Sequence, residues 1–408
     1  GQRVVEGVRR LATPSASALL RVRRAPSATW VRRQLGLLAA DHRGERFHAT
    51  MGLELARASH ASDPEGPSVF YVDGHMRPYT GQEVVRKGWR MQDRRVRPGI
   101  TDYYVHDEDG RPLLRVDVPA HDSLTTWLTP IAETLRDALG PEARILLAFD
   151  RGGAFPEQMV DLRDRGFDFV TYERKPYRTL PASAFKDTFT DAFGETVAWH
   201  EEHRRNLGAG RGRVRCVPFR MADGHQVNVL AISVVKPERL YEIVRGRWAQ
   251  ENGFKHGVAR WGINQLDGRT TAPYPPGTII PSPERRRLDE AIRIERAREG
   301  RARRELARGE PGQPNWALWE AELAEALALQ AEFQAYRPAF PVHAPVEETE
   351  LAGKLVQHPG EYKALIDAVR VAAANAEAYL AYLLGEYLKR PAEAKRVLQN
   401  LMQAPGAI

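Results

Sequence analysis

The stretch Arg144-Ile145-Leu146-Leu147-Ala148-Phe149-Asp150-Arg151-Gly152-Gly153 decides how the chain folds. Ile145 to Phe149 is an unbroken apolar run of strand length, the pattern of a strand buried on both faces of a sheet. Its neighbours are helical. Asp122-Ser123 caps a helical segment from Leu124 to Leu139, which Gly140-Pro141 ends. Downstream, Pro156 to Arg165 reads as a helix closed by Gly166, and Phe167 to Tyr172 as another strand. Upstream, Thr101 to His106 and Pro112 to Val118 flank Asp107-Glu108-Asp109-Gly110 as a hairpin. Ser68 to Val72 is a short apolar strand behind the breaker cluster Asp63-Pro64-Glu65-Gly66-Pro67. Strand, hairpin, helix, strand, helix, strand is the order of an α/β protein whose mixed sheet carries packed helices.

Lys175 to Lys236 breaks that rhythm. Thr196 to Trp199, Val214 to Met221 and Gln226 to Val234 read as strands, the last two around the turn Ala222-Asp223-Gly224-His225. His200 to Arg213 reads as a basic loop, with Arg204, Arg205, Arg211 and Arg213 among glycines. Helix returns at Pro237 to Leu266, and Asp267 to Ser282 is a Pro-, Gly- and Thr-rich linker. Pro283 to Arg308 and Asn315 to Tyr336 read as a helical hairpin, and Tyr362 to Leu388 as a terminal helix without chemistry. The first 60 residues read as short helices with basic faces, opened by Pro14-Ser15-Ala16 and Pro26-Ser27-Ala28. They are either the remnant of a DNA-binding module or a solvated lead-in. The expected organisation is residues 1–62 helical, 63–180 a first core part, 181–236 a β insertion, 237–275 a core helix, and 276–408 a helical C-terminal region.

Composition narrows the function. Apolar residues make up 42 % and charged residues 28 % of 408, which describes a globular chain. No apolar run approaches a membrane span, and the start shows no secretory pattern. A single cysteine, Cys216, excludes an intramolecular disulfide and a Cys-based zinc site, and suits a reducing cytoplasm. The formal charge is +7, and only nine of the 60 basic residues are Lys. Arg suits bidentate phosphate contacts, so the balance permits a nucleic-acid partner.

Two strands deliver an aspartate: Val69-Phe70-Tyr71-Val72 leads to Asp73, and Ile145 to Phe149 leads to Asp150. A carboxylate at the end of a buried strand is costly unless paired, hydrogen-bonded or bound to metal. Each alone reads as a turn or cap residue; two together make a metal site worth weighing. Glu251 is the third candidate, within Arg245-Gly246-Arg247-Trp248-Ala249-Gln250-Glu251-Asn252-Gly253-Phe254-Lys255. At 100° per residue, Arg247 and Lys255 bracket Glu251 on one stripe, and Gln250, Asn252 and Gly253 point away. The bland account is an i,i+4 ion-pair ladder. Other signals are weaker. His200-Glu201-Glu202-His203 lacks zinc-protease spacing, Asp150-Arg151-Gly152-Gly153 has no Walker continuation, and the run Arg285 to Arg308 is interleaved with Glu.

Strand-Asp, hairpin and helix, strand-Asp-Arg-Gly, a β insertion, and a helix bearing Arg-Trp-x-x-Glu-Asn-x-Phe-Lys resemble the DDE transposases of bacterial insertion sequences. The resemblance covers residues 65 to 265. It implies an RNase H-like core with a mixed five-stranded sheet, a β insertion domain, and helical N- and C-terminal regions. It makes Asp73, Asp150 and Glu251 the catalytic and metal-binding acids, separated by 77 and 101 residues. Two Mg2+ ions, with Mn2+ as substitute, would activate water and neutralise charge at phosphorus, which requires hard oxygen ligands. The implied partners are double-stranded DNA, as transposon terminal repeats and target, and a second copy in a homodimeric synaptic complex. The implied location is the bacterial cytoplasm, on the nucleoid. Arg247, Lys255, Arg151, Arg204, Arg205, Arg211 and Arg213 become phosphate contacts, and Trp199 either stacks on a flipped base or packs on its strand face. Relatives often carry Tyr seven residues before the Glu and Lys seven after it; here these are Val244 and Val258, with Tyr241 and Lys255 nearest. The rivals are a nuclease or resolvase on the same core, and a transposase-derived DNA-binding protein without catalysis.

Overall fold

The computed structural model describes residues 17, 21–61, 66–118, 121–208, 210–266 and 270–403, with backbone only for 202–204, 248, 249, 251, 252, 402 and 403. The opening at Pro14-Ser15-Ala16 and most of the breaker cluster lie outside these residues. Helices α1 (Ala28–Ala40) and α2 (Gly44–His60) precede strands β1 (Ser68–Pro78), β2 (Lys87–Arg90), β3 (Arg95–His106) and β4 (Pro112–Val118). Then come α3 (Leu124–Leu139), β5 (Ile145–Phe149), α4 (Pro156–Asp164) and β6 (Asp168–Tyr172). Strands β7 (Asp187–Thr190), β8 (Thr196–Trp199), β9 (Glu202–Asn206), β10 (Arg213–Arg220) and β11 (Gln226–Ile232) lead to α5 (Pro237–His256). The remaining helices are α6 (Pro283–Arg308), α7 (Trp316–Tyr336), α8 (Gly360–Gly385) and α9 (Ala394–Gln403).

Alternation along β1 sets the two faces of the sheet. Phe70 and Val72 enter a core with Leu128 and Leu135 of α3 and Met159 and Leu162 of α4. Val69 and Tyr71 enter the opposite core, with Leu240, Ile243 and Val244 of α5. Burying each such aliphatic side chain contributes roughly 1.5–3 kcal/mol, so both faces are held by helices. Ser123 caps α3 as expected, accepting from the Thr125 N–H, and Gly140 ends it at φ 103°. Helix α5 lies close to β1: a Cβ on Gly246 would stand 2.2 Å from the Tyr71 hydroxyl, so only glycine fits.

The strand order β4-β3-β1-β5-β6 is antiparallel on the β4–β3–β1 side and parallel across β1, β5 and β6. This is the mixed five-stranded sheet that the resemblance implies. The inserted strands do not form a separate sheet. β11 pairs antiparallel with β6, and β10, β9, β8 and β7 follow, so the same sheet has eleven strands among the described residues. The open edge of β6 satisfies its backbone groups on β11. Two other expectations change. Residues 202–206, read as basic loop, are strand β9 on β10. Helix α5 ends at His256 rather than Leu266, passing through a π turn at Gly257–Trp261 into left-handed Gly262.

The chain divides into two compact units. One holds Gly1–Thr80, Lys87–Thr270 and His358–Ile408, hence the sheet and α1–α5, α8 and α9. There α2 packs on β4, α3 and α8, with His48 and Ala56 buried, so it is no solvated lead-in. The other holds Gly81–Arg86 and Thr271–Gln357. It pairs α6 with α7 as the expected helical hairpin, tied by Arg298 to Glu325, and it holds a small core of Tyr274, Ile280, Val346 and Leu355. Among the described residues no helix is long and apolar enough to cross a membrane.

Candidate active site

The parallel register pairs Val72 with Phe149, so Asp73 and Asp150 leave neighbouring strands at the same level. Only β5 ends there. β1 runs five residues past Asp73 to Pro78 because β3 continues beside it, pairing Asp73 with Tyr104 and Pro78 with Gly99. The expectation of two strand ends is therefore half right: Asp73 stands where β1 loses its parallel neighbour but keeps its antiparallel one. Its Oδ1 accepts the Gly74 N–H at 2.8 Å, and its Oδ2 pairs with Arg247 Nη2 at 3.1 Å. Asp150 Oδ1 accepts the Gly152 N–H at 2.8 Å, and the Thr171 hydroxyl donates to the Asp150 carbonyl. A Cβ at Gly152 would sit 2.8 Å from that carboxylate oxygen, so glycine admits the turn. Both acids border one cavity of about 1030 Å³, together with Arg151, Arg247 and Lys255. The buried Tyr103 phenol senses both: burial raises its pKa, and the charges of Asp150, Asp122 and Asp73 raise it further.

Helix α5 roofs this corner, but along a different stripe from the one expected. Ile243, Arg247 and Gln250 are buried against the sheet, as i, i+4, i+7 spacing allows, and Phe254 continues the line. Gln250, expected to point away, is fully buried and donates to the Tyr71 and Tyr104 carbonyls at 3.3 Å and to His106 Nδ1 at 2.8 Å. Phe254 stacks on His75 at 5.0 Å, and His75 bonds Asn264 at 2.7 Å. Burial, and then the charge of Arg77, lowers the His75 pKa to about 4, so this ring is neutral. Arg247 thus spends its charge across the sheet on Asp73, while Lys255 is exposed at the cavity rim. The Glu251 side chain lies outside the described residues; its backbone is helical, one turn after Arg247.

The sequence model of a family described as a transposase protein matches residues 4–307, three-quarters of the chain, with β1, β5 and α5 all inside. The chain belongs to this transposase family. No curated protein matches it.

In the transposase, Asp73 and Asp150 offer oxygen donors only, the set that suits a hard divalent cation, and Arg247 shows that this corner already holds positive charge against Asp73. Among the described residues, which leave out the Glu251 side chain, no group of three His, Cys, Asp or Glu is placed to hold a metal ion. The insertion arginines are placed differently from the acids, and none of those described borders the acid cavity. Arg205 pairs with Glu173 at 3.0 Å and Arg211 with Glu157 at 2.7 Å, while Arg213 is exposed. The Arg204 side chain is outside the described residues. Trp199 is half-buried on β8 and packs against the α5-side core. Arg151 is exposed, 5.6 Å over the Tyr172 ring. Gln250, His75 and Tyr103, buried at this corner, were not legible in the sequence, because nothing local marks a polar side chain whose partner lies on a distant element.

Proposed function

We propose that this transposase is of the DDE type: it cleaves transposon ends and joins them to target DNA by cut-and-paste, through Asp73, Asp150 and Glu251. The observation that carries the reading is the register of Val72 on Phe149, which brings two acids 77 residues apart to one cavity under the helix that bears Glu251. Bound between these carboxylates, two Mg2+ ions, or Mn2+ in their place, would supply Lewis-acid charge and a nucleophilic water at neutral pH. The chain's own residues do the rest. The Gly74 and Gly152 N–H groups each hold one oxygen of an aspartate, and Arg247 takes the second oxygen of Asp73. Arg247 sets a positive charge against Asp73 and so offsets part of the repulsion between two neighbouring carboxylates. Arg151 and Lys255, exposed at the rim, draw the phosphate backbone inward. The same floor serves both steps, since water and a freed 3′-hydroxyl are both oxygen nucleophiles at phosphorus. Double-stranded DNA is the substrate, two copies act in the synaptic complex, and the reaction takes place on the bacterial nucleoid in the cytoplasm. The test is incubation with end-labelled terminal-repeat DNA and Mg2+, reading nicks and joined products. Asp73→Asn, Asp150→Asn and Glu251→Gln should each abolish both products while DNA still binds. Wild-type cleavage by any of the three removes that acid from the reaction, and a wild-type chain that binds without cutting favours the idle DNA-binding alternative.

A further inference from the structure

The β2–β3 hairpin is a feature that neither the family match nor the acid triad accounts for. It pairs Lys87 with Pro98, Trp89 with Val96 and Arg90 with Arg95, and turns through Met91 to Arg94, with Arg94 left-handed at φ 49°. Opposed in the register, Trp89 and Val96 share one side of the ribbon. Both are 55 % exposed, and Met91 at the turn is 73 % exposed. Among the described residues this apolar cluster faces solvent, the kind of surface that takes a partner. The charge says which. Between residues 87 and 97 stand Lys87, Arg90, Arg94, Arg95 and Arg97 against a single acid, Asp93, which engages Arg90 and Arg97 at 3.4 and 3.1 Å. Lys87, Arg94 and Arg95 are exposed. Trp89, Arg90, Met91 and Gln92 also line the cavity that Asp73 and Asp150 border.

We infer that this hairpin grips the DNA strand entering the acid cavity, with Lys87, Arg94 and Arg95 on its phosphates and Trp89 stacked on an unpaired base. The polyanion matches the excess of cations, and an indole beside a cationic ribbon is how proteins hold single-stranded segments without reading their sequence. The Trp89 indole N–H reaches the Met91 sulfur at 3.1 Å, which holds the ring as a ready platform. The inference rests on the proposed reading of the cavity as the cleavage site, but its test does not. Binding is measured in EDTA, so nothing is cut, to a duplex of arbitrary sequence, either blunt or carrying a short single-stranded tail. The 408-residue chain should prefer the tailed duplex. Trp89→Ala should lower affinity for it by roughly ten-fold and erase the preference, and Trp89→Phe should restore most of it. Lys87→Gln/Arg94→Gln/Arg95→Gln should weaken binding to both and flatten the salt dependence by about two to three units in log–log slope. An unchanged salt slope in the triple variant, or a tail preference that survives Trp89→Ala, overturns the inference. Cleavage by Asp73→Asn would sink the acid reading and leave these binding results as they stand.

Discussion

Asp73 and Arg77 leave the same strand four residues apart, and the two charges live in opposite surroundings. Asp73 borders a cavity of about 1030 Å³, its side chain 22 % exposed, with Arg247 at 3.1 Å. Arg77 is sealed, pairing with Asp102 at 2.6 Å and Asp367 at 2.7 Å. Around it Arg115 reaches the same two aspartates at 2.8 and 3.0 Å, Lys363 reaches Asp102 at 3.1 Å, and Arg370 reaches Asp367 at 2.9 Å. Burial by itself would push the Asp102 carboxyl up, yet Arg77, Lys363 and Arg115 hold it well below the usual carboxylate range. The contrast teaches how β1 uses charge. Where it meets α8, every ion is answered by protein and the network fastens the helix to β1, β3 and β4. Where it passes β5, Asp73 borders a cavity and shares its charge with the single cation of Arg247.

If that contrast is right, removing a charge at one end should cost activity, and at the other, stability. The largest effect belongs to Asp150→Asn: cleavage should fall by roughly 10³-fold or more, with the denaturant midpoint unchanged. A fall in stability of several kcal/mol would erase the distinction. Next is Arg77→Met, which strands buried carboxylates and should destabilise by about 3–5 kcal/mol in urea unfolding. Arg77→Met combined with Asp102→Leu should lose less than the sum of the single changes, since the second removes a charge the first orphaned. Arg247→Ala should sit between the two regions, slowing cleavage by about ten-fold or more with a modest loss of stability. Wild-type cleavage rates would return this residue to a simple ion pair.

pH sharpens the comparison with a smaller effect. Burial, and then the charge of Arg115, lowers His48 to about 4, and burial lowers His106 to about 3. Their folded pKa values lie below the ordinary 6.5, so the unfolded chain takes up the protons first. Their contribution is whole above pH 6.5 and drains away as pH falls through about 4 and 3. That of Asp102 and Asp367, whose folded values are depressed, is whole above the ordinary carboxylate range and is lost only at still lower pH. Stability should therefore decline between pH 6.5 and 4 while the ion network is intact, and His48→Asn should flatten that decline; an unflattened curve assigns it elsewhere. The smallest expected change is Lys255→Ala. Lys255 is exposed at the rim, so cleavage should slow only two- to three-fold, in keeping with the ~0.5 kcal/mol of an exposed charge, and more at low salt than at high.

Helix α3, β4, β8 and α6 were legible almost to the residue, because caps, turn residues and periodicity act within a few positions, whereas β3 starts six residues before the expected Thr101. β2, β7 and β9 were not. They are four or five residues long, carry Arg, Lys, Asp or Glu, and become strands only because a neighbour offers its backbone. At the site, Asp73, Asp150 and Arg247 stood out as residues, whereas the pairing of Arg247 did not: the helical stripe offered a phosphate contact or, as the bland account, Glu251, and the described bond goes 174 positions back to Asp73. The terminal helix, read as structural, carries Lys363, Asp367 and Arg370 into a buried ion network that its apolar spacing did not announce.

Local sequence settles which runs are apolar enough to be buried, where helices start and stop, and which acids follow strands. Those properties depend on side chains and backbone within about ten residues of one another. Tertiary structure alone decided that β1 continues past Asp73, that the insertion lengthens the core sheet, that Gln250 turns inward beside Glu251, and that Arg77 meets Asp367 across 290 positions. The reason is physical. A strand's length, a register and a buried ion pair are set by which partner supplies the missing hydrogen bond or countercharge, and that partner is brought close only when the whole sheet has formed.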